Sequence, residues 1–131
     1  MKIGIIVAMD KELQQLQQVF KGQQVLVEKC GIGKVNAALG VQRIINDYKP
    51  DCIISSGCAG GHGEGVHVKD VVVSTELAYH DVYCGSAIDD TTQYGQVQGL
   101  PARFLPIPGC WNRRRHSVLR PRRSLRSCTK G

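Results

Sequence analysis

Three short runs rich in β-branched residues, at positions 2–8, 23–28 and 51–55, alternate with two stretches whose apolar residues recur at helical spacing. This alternation restricts the fold more than any other feature. Parallel neighbouring strands need a crossover of a dozen or more residues, usually a helix. The order strand, helix, strand, glycine turn, helix, strand predicts an α/β chain with a largely parallel sheet and helices on its faces. In the first helix Asp10 is placed to cap, and Leu13, Leu16, Val19 and Phe20 share one face. The second, opening after Gly31 and Gly33, carries Val35, Ala38, Leu39, Gln42 and Ile45 at i, i+3, i+4 spacings. Gly22 and Pro50 punctuate these units, and Val71-Val72-Val73 predicts the core of a further strand.

The third strand runs into Ser56-Gly57-Cys58-Ala59-Gly60-Gly61. A buried strand ending in small residues brings exposed N–H groups close to a ligand with no side chain in the way, although glycines also serve simply to turn. Glu12 falls in the first turn of the first helix, near the carboxyl end of strand one, the edge where open α/β sheets hold their ligands. By itself such an acid is equally a solvated residue that favours the helix dipole. Gly31-Ile32-Gly33-Lys34 fits neither G-x-G-x-x-G nor G-x-x-x-x-G-K-[ST], so a nucleoside triphosphate loop is not predicted.

The 131 residues suffice for one domain with a modest core. No apolar run approaches the ~18 residues of a membrane span, and the short run at the N-terminus passes directly into Asp10-Lys11-Glu12, unlike a signal peptide. A cytoplasmic protein without membrane association is expected. Cys30, Cys52, Cys58, Cys84, Cys110 and Cys128 show no C-x-x-C spacing and no pairing with His62, His67, His80 or His116. Free thiols and no zinc site are the reading. The net charge of +6 is unevenly distributed: residues 1–103 sum to −2, whereas residues 104–131 carry eight cations and no acid. The basicity belongs to the tail.

Four stretches in register carry a resemblance: Met1-Lys2-Ile3-Gly4-Ile5-Ile6-x-Ala8-Met9-x-x-Glu12; Gly31-Ile32-Gly33-Lys34-Val35-Asn36-Ala37-Ala38; Lys49-Pro50-Asp51-x-Ile53-Ile54 with Gly57-x-Ala59-Gly60-Gly61; and Tyr79-His80-Asp81. Over residues 1–81 the chain resembles the bacterial 5′-methylthioadenosine/S-adenosylhomocysteine nucleosidases of the nucleoside phosphorylase superfamily. The resemblance implies a three-layer α/β sandwich, here truncated. It also implies hydrolysis of the N-glycosidic bond of adenine thionucleosides, as in methionine salvage, with no metal or organic cofactor and with a homodimeric assembly. It assigns Glu12 the catalytic role of holding and deprotonating a water. Ala8 and Met9 take the pocket wall, Ile32 the thioalkyl side, and Gly57, Cys58, Ala59 and Gly60 the backbone loop along sugar and adenine.

The chain also departs from that pattern. Cys58 replaces the usual Ser, and residues 20–30 leave room for only one short strand. Residues 82–93 do not match the family's capping loop. The family's Met-Glu and Ser-Asp segments, which grip the ribose and protonate the leaving base, have no counterpart, because no acid follows Asp90. The expectation is therefore a partial nucleosidase domain over residues 1–103 with impaired activity. Residues 104–131 form a basic tail expected to be disordered, with the composition a reading-frame shift would leave. Two alternatives stand beside it: a phosphate-dependent nucleoside phosphorylase or other superfamily hydrolase, and a non-catalytic protein whose tail binds nucleic acid.

Overall fold

Residue burial follows directly from the sequence of the first strand. The structure, a computed structural model, describes residues 1–61, 65–82, 92–93 and 95–107 together with the backbone pairing of 118–119. Strand β1 (Ile3–Val7) is apolar at every non-glycine position and runs through the middle of a three-stranded sheet. A strand covered on both faces needs such a continuous run. It pairs in parallel with β2 (Val25–Lys29) on one side and β3 (Cys52–Ser55) on the other, with Ile5 opposite both Val27 and Ile54. The sheet order is β2-β1-β3.

Strand alternation sorts the two faces. Ile5, Val7 and Val27 form the buried cluster on one face, with Ile3 and Val25, Leu13 and Leu16 of helix α1 (Asp10–Val19) and its C-cap residue Phe20 packed against it. On the opposite face lies helix α2 (Lys34–Asp47), whose Ile44 is fully buried. A Cβ at Gly4 would stand 2.7 Å from Ile44 Cγ2, so the missing side chain lets the helix approach the strand. Helix, sheet and helix make three layers, the expected α/β arrangement.

Both helices differ from the sequence reading in detail. Asp10 is the first helical residue, not the cap; the N-cap is Met9, and Asp10 pairs with Lys29 at 2.8 Å. The Met9 N–H is taken by Glu12 at the third helical position, half of a capping box, which leaves Asp10 free to reach β2. Val19 is exposed. In α2 the face turned inward is Ala37, Gly40, Val41 and Ile44, while Val35, Ala38, Leu39, Gln42 and Ile45 face outward. Close approach decides this: a Cβ on Gly40 would collide with the Cys30 side chain, so the small-residue face fits and the bulkier stripe does not.

The chain divides into two compact units, Met1–Gly60 and Gly61–Gly131. In the second, β4 (Val71–Val72) does not extend the parallel sheet but pairs antiparallel with β5 (Val118–Leu119). Among the described residues no helix lies between β3 and β4. Leu77 and Phe104 exchange two backbone hydrogen bonds, 2.9 and 2.8 Å, and the Phe104 ring meets Tyr79 edge to face at 5.8 Å. Arg103 pairs with Glu76 at 2.9 Å. Residues 83–91 of the mismatch at 82–93, and the basic tail beyond 107 apart from the 118–119 pairing, lie outside the described residues.

Candidate active site

All three parallel strands end at the same edge, so the segments after Val7, Lys29 and Ser55 gather there. With the order β2-β1-β3, the connection from β1 goes one way and the chain then crosses to β3 on the other side. The crevice between β1 and β3 is therefore a topological switch point, where open α/β sheets bind ligands.

Glu12 bridges that crevice. Its Oε2 accepts the N–H groups of Ala8 and Met9, both at 3.0 Å, from the segment leaving β1. Its Oε1 accepts the Cys58 N–H at 2.9 Å, from the segment leaving β3. The residue is 8% exposed and is the buried charged residue of the described core. The Cys58 N–H holds its carboxyl below the ordinary value, with burial opposing and the N–H groups of Met9 and Ala8 and the Cys58 thiol helping. Donors that favour the charged form thus outweigh desolvation, and the group is a carboxylate at neutral pH. Gly57 permits this approach: a Cβ there would lie 3.1 Å from Oε1.

The structure thus gathers Ala8, Met9, Glu12, Gly57 and Cys58 around one carboxylate. Ala59 and Gly60 follow on the same exposed segment, with open space where a Gly60 side chain would be. Ile32 sits on the neighbouring segment after β2, 73% exposed, and makes no contact with Glu12 among the described interactions. Sequence reasoning passed over Asn36, whose Nδ2 donates to the Ile32 carbonyl at 2.7 Å and ties the glycine turn to α2. An Asn one turn into a helix that follows Gly-x-Gly is the signal for it, since its amide reaches back to the turn. The Cys30 thiol, on the Val7 carbonyl at 3.2 Å, also ties β2 to β1 at this edge.

The family model of the phosphorylase superfamily matches residues 17–111. The chain belongs to the phosphorylase superfamily. Among curated relatives in this superfamily, the 5′-methylthioadenosine/S-adenosylhomocysteine nucleosidase of Exiguobacterium sp. is 40% identical over 126 aligned positions, covering 79% of this chain and 51% of its own. That of Bacillus subtilis is 46% identical over 85 positions, covering 65% and 36%. The solved nucleosidase of Neisseria meningitidis in complex with methylthio-immucillin-A superposes with a TM-score of 0.68 at 35% identity, over 79% of this chain and 52% of that one. The Streptococcus pneumoniae enzyme with 8-aminoadenine gives 0.69 at 34%, over 80% and 53%. The chain spans about half the length of the curated relatives it matches. The nucleoside phosphorylase fold expected from the sequence is borne out by these neighbours.

Proposed function

We propose that this chain carries the water-activating half of a nucleosidase site that cleaves the N-glycosidic bond of methylthioadenosine or S-adenosylhomocysteine. The observation that carries the reading is the Glu12 carboxylate, buried, ionised and held across the β1/β3 crevice by three backbone N–H groups. The names of the relatives at 35–46% identity and the adenine-like ligands of the solved neighbours support the substrate class.

Cleavage would proceed as the bond from the sugar to adenine breaks, the base leaving with the electron pair and the sugar carbon becoming cationic. Water adds to that carbon and gives its proton to Glu12. A carboxylate held below its usual range is a weak base toward free water. It becomes adequate as the water bonds to the cation and grows acidic, and its charge stabilises that cation throughout. Ala8 and Met9 would flank the sugar, residues 57–60 the sugar and adenine, and Ile32 the thioalkyl group. The base must also be protonated, and because no acid follows Asp90, we place that step on residues corresponding to the unmatched half of the relatives.

Adenine release from methylthioadenosine by the purified chain is the test. The expected rate is low, independent of phosphate, and reduced by on the order of 10²-fold or more in Glu12→Gln. Release unaffected by that substitution, or absence of methylthioadenosine binding at millimolar concentration, removes the reading. Dimerisation belongs to the same proposal and is supported by the outward stripe of α2, where Leu39 is 62% exposed and Val35 and Ile32 are likewise uncovered. Leu39→Lys should shift the sedimentation coefficient from dimer to monomer, and a wild-type monomer at high concentration argues against it. A cytoplasmic setting is proposed on the free thiols of Cys30 and Cys58, and no described helix is long and apolar enough to cross a membrane.

A further inference from the structure

The two outer strands of the parallel sheet end it in different ways. An edge strand presents unpaired N–H and C=O groups, and charged side chains are a common guard against pairing with another strand. Strand β2 carries that guard: Glu28 pairs with Arg43 at 2.9 Å and Lys29 with Asp10 at 2.8 Å. Strand β3, Cys52-Ile53-Ile54-Ser55, carries no charge. The Cys52 and Ser56 N–H groups turn inward, to the carbonyls of Lys2 and Ile6 at 3.4 and 3.0 Å. Backbone groups alternate in direction along a strand, so the N–H groups of Ile53 and Ser55 face the outer edge, where no described strand pairs with them. The faces of β3 are open as well. Ile54 stands opposite Ile5 in the register, yet it is 44% exposed where Ile5 is 4%. Helices α1 and α2 pack over β1 and β2, so the layers stop short of the third strand. Parallel strands are ordinarily covered on both faces.

We propose that the uncharged edge of β3 is a docking surface for a second polypeptide, one carrying the half of the nucleosidase relatives that this chain does not match. That polypeptide adds a strand beside Ile53 and Ser55 and lays its own cover over Ile54. Two observations select this occupant. The matched segment makes up about half of each relative, so a comparable length of chain belongs to the same fold outside it. A second copy pairing β3 with β3 sets only four residues against four. Such a contact is too short to reach the ~1,200 Å² at which stable interfaces begin, and it brings no layer to cover Ile54. The proposal rests on membership of the superfamily and is independent of the role given to Glu12.

The test is co-expression of the whole chain, tagged, with the polypeptide that makes up the unmatched half of the Exiguobacterium sp. nucleosidase, the captured partner being identified by mass. A 1:1 complex should form, and hydrogen exchange at the Ile53 and Ser55 amides should slow by on the order of tenfold or more relative to the chain alone. Ser55→Pro removes an outward N–H and leaves the donors to β1 in place, so it should abolish capture. Ile54→Lys, which sets a charge on the open face, should do the same and decides the matter if the proline variant does not fold. Capture that survives both substitutions overturns the proposal, as does the absence of a complex when both polypeptides are soluble. Self-association through β3 that excludes the second polypeptide overturns it too. The complex should also release adenine from methylthioadenosine faster than the chain alone, by on the order of 10²-fold or more. A complex with slowed exchange at Ile53 and Ser55 but no release upholds the docking surface and defeats the nucleosidase reading instead.

Discussion

Glu12 shows how one carboxylate does two structural jobs at once. At the third position of α1 it satisfies the Met9 N–H that the helix start leaves unpaired, and through Cys58 it joins the chain leaving β3 to the chain leaving β1. Its charged form is favoured in the folded protein, so its pKa there is lowered. The resulting stabilisation is fully present above the unfolded carboxylate value near 4.5 and is lost as pH falls through the lower folded value. Urea midpoints of the parent and Glu12→Gln should therefore differ at pH 7 and converge in acid below that folded value. A gap that stays constant into strong acid would show that the charge is not what stabilises the fold. The acid in the first turn was legible from residue order. Its backbone donors were not, because Ala8, Met9 and Cys58 reveal nothing about their N–H groups until the strand ends are brought together.

At the scale of elements, α2 repays comparison of pattern with packing. The periodicity of Val35, Leu39 and Gln42 identifies a helix correctly, but the helix turns its small residues to the sheet. Space between layers explains this: Gly4 and Gly40 bring strand, helix and Cys30 closer than larger side chains allow. Replacing Gly by Ala inside a helix ordinarily gains about 1 kcal/mol. Gly40→Ala should instead lose about 1–3 kcal/mol through overpacking against Cys30, measured by chemical denaturation. Ile44, 0% exposed, is the anchor of the same interface, and Ile44→Ala should cost about 2–5 kcal/mol. Near-neutral results at both positions would mean that α2 does not pack as described. The three strands were readable because a sheet covered on both faces demands unbroken β-branched runs, as in β1. The 71–73 run passed the same criterion, yet its Val71 and Val72 pair antiparallel with β5.

Among the described residues, the unit Met1–Gly60 holds the parallel sheet, helices α1 and α2 and the Glu12 cluster. Its buried core centres on Ile5, Val7, Val27 and Ile44, whereas Val71 and Val72 of β4 are exposed. Amide exchange should accordingly be slowest at β1 and β2 and much faster at β4; equal protection in both units would contradict this division. The sequence alone determined the βαβ order, the superfamily and the acid worth testing, because strand composition, helical period and local motifs are properties of neighbouring residues. It could not determine which face of α2 is buried, where β4 pairs, or that Cys58 closes on Glu12. Those outcomes depend on distances between segments far apart in the chain, and such distances exist only once the layers have packed.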